Sequence, residues 1–131
     1  MDKPKTHTKI SSSLVGEPIE IISGEKAVVR LVTTDIMRVD DEGLVHGGFT
    51  FGLADYAAML AVNHPYVVLY KASVSFLRPV KVGDILIAEA KVSDRDDRRV
   101  FVKVHVYKEN ERVFEGDFLC VILNKHVLDK K

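Results

Sequence analysis

Tryptophan is absent, cysteine occurs once and proline four times in 131 residues. The lone Cys120 rules out a disulfide within the chain and fits a reducing compartment. An excess of one charge is lacking too: Lys plus Arg and Asp plus Glu both number 19. No global field draws the chain to nucleic acid or to an anionic membrane surface, and neither is expected as a partner. Also missing is an uninterrupted apolar run of the ~20 residues a membrane span needs. The opening MDKPKTHTK is charged and polar, without the apolar core of a secretion signal. A cytoplasmic setting is the expectation. What the chain does have is the make-up of one folded domain, 47% apolar and 29% charged.

The stretch from Gly43 to Asn63, GLVHGGFTFGLADYAAMLAVN, organises the rest. From Gly47 to Val62 nearly every position is apolar or small, enough for about four helical turns. A helix apolar all round is normally wrapped by other elements. One full charge interrupts it, Asp55. Its neighbours on the same helical face are Gly48, Phe51, Gly52, Met59 and Val62, none of which can pair with it. A lone carboxylate is costly to bury, so its presence marks a candidate site; the alternative is a side chain that reaches an exposed strip.

Around that helix the chain reads mostly as strand. Residues 1–9 are expected to be a flexible tail and 126–131 another, flanking a single domain over 10–125. Ile10 to Val15 suits a short helix or an extended lead-in. Pro18 to Ile22 and Ala27 to Thr34 read as two strands, and Arg38 to Glu42 as a polar loop. Asn63, His64 and Pro65 end the helix. Strands follow over Tyr66–Phe76, Asp84–Val92, Arg98–Tyr107 and Glu111–Leu123, with alternating faces. The charged segments SDRDDRR and KENER read as hairpin turns. The fold class is α+β, one long central helix wrapped by a curled antiparallel sheet of five to six strands. The sheet's outer face and one side of the helix still need cover, which points to a homodimer or a homotetramer.

Glycines 43, 47 and 48 flank His46 where the helix begins. A helix start presents unpaired N–H groups and the positive end of the dipole, and glycine lets a carbonyl approach closely. The same glycines would also serve simply to shape a tight loop. Seven residues separate Gly48 from Asp55, roughly 10 Å along one face. One substrate atom cannot easily span that within a single subunit. Two such helices meeting across a twofold axis would bring Asp55 of one towards Gly48 of the other.

His46-Gly47-Gly48, then Phe51-Gly52-Leu53-Ala54-Asp55, then a strand ending Phe76-Leu77-Arg78-Pro79-Val80-Lys81-Val82-Gly83-Asp84, resembles the hotdog-fold acyl-CoA thioesterases of the phenylacetate-pathway (PaaI-like) type. The likeness spans about residues 40–92. It implies a thioester hydrolase whose site lies at a hotdog dimer interface, with CoA entering as part of the substrate and no separate cofactor. Asp55 would match the family's catalytic carboxylate, as general base or nucleophile. Gly48 would match the N–H that polarises the thioester carbonyl, and His46 the histidine that orients substrate or supports the loop. Gly47 would line the substrate path. Two positions depart from the family pattern. Asp40 stands where many relatives carry asparagine, and Val67-Val68-Leu69 where some use Ser or Thr. Related lipid-synthesis regulators share the fold and bind acyl-CoA without hydrolysing it, but lack an acid at the Asp55 position. The acid here favours an enzyme.

Secondary candidates follow. Lys71, Arg78 and Lys81 could meet CoA phosphates, and Phe49, Phe51, Tyr56, Met59 and Tyr66 could line an acyl pocket. His7, His64, His105 and His126 have no Cys or acid at metal spacing, so no metal is expected. Cys120 lacks an evident activating neighbour and reads as packing. A hotdog hydratase would need its histidine paired with the acid on the helix; here His46 precedes the glycines, which makes that reading the weakest of the three.

Overall fold

In the computed structural model, which describes residues 1–129, the alternation in the sequence becomes a single six-stranded antiparallel sheet. A one-turn helix α1 (Ser12–Val15) precedes β1 (Glu17–Ile22) and β2 (Lys26–Val32). A 3-10 turn at Asp35–Met37 leads to the long helix α2 (Gly47–Val62). Then come β3 (Val67–Phe76), β4 (Ile85–Asp96), β5 (Arg99–Lys108) and β6 (Glu111–Ile122). The strand order is β1-β2-β4-β5-β6-β3, so β1 and β3 form the two edges. Helix α2 packs against all six strands.

The inward positions are those the two-residue period selects. In β2 these are Ala27, Val29 and Leu31; in β4, Leu86, Ala88 and Ala90; in β5, Val100, Val102, Val104 and Val106, all buried. Many are small, which lets the helix lie close to the sheet. On the helix itself Leu53, Ala54, Ala57, Ala58, Met59, Leu60 and Ala61 are shut from solvent, so burial runs round most of its circumference.

Two expectations need correcting. The segment SDRDDRR is not all turn: β4 runs on to Asp96 and β5 starts at Arg99, leaving only Asp97 and Arg98 to reverse the chain, with Asp97 at φ +56°. In β4 the cross-strand hydrogen bonds continue through the exposed, charged Asp94–Asp96, opposite Phe101, Val100 and Arg99 of β5, so β4's own side-chain pattern does not mark its end. Nor is the N-terminal stretch a loose tail. Asp2 N–H donates to Ile21 O (2.9 Å) and its carboxylate accepts from Ser23 N–H (2.7 Å). Thr6 is buried.

The anchor for this strap is Asn63, the left-handed cap of α2 (φ +52°, ψ +48°), 3% exposed. Its Oδ1 accepts from Lys5 N–H (2.8 Å), and its Nδ2 donates to Lys3 O (3.0 Å) and Ser23 Oγ (2.8 Å). Asparagine suits both tasks, because it tolerates the left-handed conformation and offers donors with an acceptor. Replacing it should therefore cost twice. Asn63→Ala is expected to lower unfolding stability by about 2–4 kcal/mol in urea titrations, and Asn63→Gly by less, since glycine restores the backbone but not the strap. Equal losses in the two variants would contradict this division.

Candidate active site

Helix α2 starts on an imidazole. His46 is its N-cap, in extended backbone (φ −61°, ψ 133°), and its Nδ1 accepts from Gly48 N–H at 2.7 Å. Nδ1 is thus the acceptor and Nε2 carries the proton, on a ring that is solvent-exposed. Glycine at 48 is what permits this cap: a Cβ there would stand 2.8 Å from Nδ1 and 3.0 Å from Cε1 of the ring.

That cap alters the expected donor. The Gly48 N–H, assigned by resemblance to polarise the substrate carbonyl, is committed within the chain to His46. Gly47 is the first helical residue, and its N–H has no acceptor among the described residues. It is an orphan donor at the positive end of the helix dipole. A Cβ on Gly47 would meet the Phe76 ring at 3.1 Å, so bare backbone faces outward beside that ring.

Asp55 lies two turns further along. It is partly buried, and its Oδ1 is fully buried with no hydrogen-bond partner. Burial among apolar groups pushes its carboxyl up from 3.8 to about 6. One turn before it, Phe51 stacks on Phe118 of β6 with ring centroids 5.6 Å apart. One turn after it, Met59 is 1% exposed. Asp55 and the Gly47–Gly48 start do not touch, as the helical rise requires.

The other candidates scatter. Phe49 is half-buried and stands edge-on to His46 (6.3 Å). Tyr56 and Met59 are core side chains, not walls of an open pocket; Tyr56 is 7% exposed and covered by His7 of the N-terminal strap (ring centroids 6.2 Å). Tyr66 is exposed beside His64, whose Nδ1 accepts from Tyr66 N–H (3.0 Å). The three basic residues are not brought together. Lys71 lines a cleft of about 480 Å³ on the outer sheet face with Lys103 and Asp117. Arg78 pairs loosely with Glu111 (3.7 Å). Lys81 borders a different cleft with Asp40 and Asp84. Asp40, at the family's asparagine position, turns its carboxylate into its own loop, accepting from Glu42 N–H (3.0 Å) and Leu44 N–H (3.2 Å). Val67 is buried and Leu69 packs on the core, so neither of these positions offers a hydroxyl.

With this geometry in hand, comparison with known proteins is informative. The sequence profile of the thioesterase superfamily matches residues 42–115, more than half of the chain and all of the HGG-to-Asp55 region. The chain belongs to the thioesterase superfamily. Its α+β architecture, one long helix on a six-stranded antiparallel sheet, is the hotdog fold. A crystal structure of a Pyrococcus horikoshii protein superposes with TM-score 0.95 at 58% identity, covering 98% of both chains. The Escherichia coli PaaI protein of the phenylacetic acid degradation operon superposes at TM-score 0.78 with 25% identity over 88% of this chain and 84% of that one.

Two curated relatives carry other names. Methylthioribose-1-phosphate isomerase of Aquifex aeolicus is 50% identical over 119 residues, 91% of this chain but 26% of that protein. Transcription factor FapR of Caldanaerobacter subterraneus is 28% identical over 97% of this chain and 64% of its own length. The superfamily chain described here therefore spans about a quarter of the first relative and just under two thirds of the second.

The isolated carboxylate has a thermodynamic signature. Asp55 titrates near 6 when folded and near 3.8 in its ordinary state, so the folded protein binds more protons between those values. The stability this residue contributes is complete below about pH 4 and is lost as pH rises through 6, by up to about 3 kcal/mol. Asp55→Asn should melt higher than the natural protein at pH 7.5, and the two melting curves should converge near pH 4. A difference independent of pH would refute the burial cost.

Proposed function

We propose that the protein hydrolyses acyl-CoA thioesters at sites shared between two copies. The observation that carries this is the partly buried, unpaired Asp55 carboxylate on a thioesterase-superfamily helix whose N-terminus holds an orphan N–H. Near neutral pH the carboxylate is largely ionised and can take a proton from water. The water oxygen then attacks the thioester carbonyl carbon. The developing oxyanion needs a donor that the same chain cannot supply, since Gly47 and Asp55 are two turns apart. The Gly47 N–H of a second copy, at the positive end of its helix, meets that need. Collapse of the tetrahedral species breaks the carbon–sulfur bond, and the proton held by Asp55 passes to the leaving CoA sulfur. Direct attack by Asp55 as a nucleophile would use the same two groups.

The dimer this requires has a natural seam. Edge strand β3 is paired on one side only, by β6, and it or its end exposes Tyr70 (73%), Phe76 (56%) and Leu77 (44%). An unpaired edge with exposed aromatics is a template for strand pairing with another chain. Phe76 also borders Gly47, so pairing there would bring a second copy close to the helix start.

A second reading is acyl-CoA binding without turnover, which the likeness to transcription factor FapR favours. Retention of a costly carboxylate weighs for hydrolysis. A panel of acyl-CoAs assayed by released thiol separates the two. Turnover is expected, falling on the acid side as Asp55 is protonated near pH 6, and Asp55→Ala should abolish it while leaving the oligomer intact. Binding with no thiol release would favour the second reading, and hydration of an enoyl-CoA would displace both.

The donor is tested separately. Gly47→Pro removes the N–H at a helix position that tolerates proline, after a residue already in extended backbone. Gly47→Ala, which brings the same Cβ to within 3.1 Å of the Phe76 ring but keeps the N–H, should stay active, whereas a loss of about 10²–10³ in kcat is expected for Gly47→Pro. Co-expressed with Asp55→Asn chains it should recover activity, because mixed dimers hold one complete site. Full activity in Gly47→Pro alone would remove the N–H from the mechanism.

A further inference from the structure

The sheet has two edges, and the chain treats them differently. Strand β3 is paired by β6 alone, whereas β1 is paired by β2 on one side and overlaid by the N-terminal strap on the other. Asp2 N–H donates to Ile21 O (2.9 Å), and the Asp2 carboxylate accepts from Ser23 N–H (2.7 Å). Both are groups on the outer side of the strand. The next carbonyl, Ile22 O, is turned the other way and accepts from Glu25 N–H within the hairpin (2.9 Å). One aspartate thus satisfies a donor and an acceptor of the sheet edge, as a short extra strand would. The Ser23 N–H holds the Asp2 carboxyl below its ordinary value, so it remains a charged acceptor through neutral pH.

The first half of β1 is guarded by its own sequence. Pro18 has no N–H to offer, and the register with β2 shifts between Pro18 and Glu20, leaving Ile19 out of step. Pairing with another chain is hindered there, and Asp2 covers the half that is regular. Around the strap the edge is apolar. Met1, Ile19, Ile21, Ile22 and Val28 border a cleft of about 650 Å³ with Glu20, and Ile19 is 50% exposed. Beyond Asp2 the strap is firmly seated: Asn63 holds the backbone of Lys3 and Lys5, Thr6 is buried, and His7 packs on Tyr56.

We infer that the N-terminal strap is an edge guard, and that the stretch it covers, Glu20–Ser23 at the edge of β1, is a strand-pairing surface for the β1 of a second copy. Two copies of one edge pair antiparallel about a twofold axis, so β1 needs no partner but itself. In place of Asp2, the Ile21 O and Ser23 N–H of each copy would take backbone partners from the other, and Ile19 would lose its contact with water. With the guard in place β3 is the edge left for a second copy, and an edge paired with its own twofold mate closes the assembly. With the guard gone both edges pair, and a closed assembly becomes an open chain. Pairing through β1 is independent of hydrolysis at Asp55.

Three variants, weighed by light scattering and sedimentation, test this. Asp2→Pro removes the N–H and the carboxylate together but leaves the bonds of Asn63 to Lys3 and Lys5. Its mass should exceed that of the natural protein at the same concentration by about twofold or more, and the ratio should grow with concentration. Asp2→Asn keeps an N–H donor and an acceptor oxygen and should match the natural protein. Adding Ile19→Lys to Asp2→Pro sets a charge on the uncovered edge and should return the mass to the natural value. Hydrogen exchange locates the contact: the Ser23 amide of Asp2→Pro should exchange more slowly as concentration rises. An Asp2→Pro protein of natural mass at every concentration would overturn the edge guard, and so would larger assemblies that Ile19→Lys leaves intact. Should Asp2→Pro fail to fold, a chain begun at Lys3 takes its place in the same measurements.

Discussion

The structure depends on keeping one carboxylate inside a helix that is otherwise wrapped in hydrocarbon. Every strand packs against α2, and the inward residues of the three central strands under it are mostly alanine and valine. That arrangement removes water from around Asp55 without offering it a cation. Its raised titration follows from desolvation alone, since no charged neighbour contributes. The cost is a sizeable fraction of the marginal stability of a domain this size, and it is present near neutral pH. Stability given up at one residue in exchange for a poised base is what the proposed hydrolysis would require.

At the other end of the helix the accounting is reversed. Orphan donors there would normally be satisfied by a Ser, Thr or Asp cap. His46 caps one N–H through its ring and leaves the adjacent one open. A helix start capped halfway keeps both a fixed first turn and an unspent dipole. The carboxylate and the open N–H are complementary yet fixed ~10 Å apart by helical rise, and no rearrangement of side chains can close that gap within one chain. The same rigidity is why the proposed mechanism draws its two groups from two copies.

Reading along the chain placed most elements correctly, for identifiable reasons. Helix α2 is signalled by a sixteen-residue stretch that is small or apolar at nearly every position but Asp55, and its end by Asn63-His64-Pro65. Strand β5 carries two-residue alternation through Val100, Val102, Val104 and Val106, and β2 does the same through Ala27, Val29 and Leu31. The HGG-to-Asp55 spacing sufficed to mark the family. What escaped was long-range. Lys3 and Lys5 look like tail residues because it is their backbone, not their side chains, that Asn63 holds. The far end of β4 looks like a turn because its backbone pairing continues past its last buried side chain. Tyr56 and Met59 look like pocket residues because an aromatic or a thioether on a helix does not declare whether its neighbours are solvent or core.

By itself, then, the sequence determined the local matters: which segments are helix or strand, which face of each is apolar, and that a single acid sits among small residues behind a glycine-rich helix start. These follow from periodicities of 3.6 and 2 residues, which any short window contains. Tertiary structure alone decided which N–H the imidazole occupies and which carboxylate oxygen is stranded. Phe51 and Phe118 are 67 positions apart, and only the packing of α2 on β6 makes them neighbours. Contacts of that kind depend on how whole elements stack, information that is spread over the entire chain and legible in no part of it.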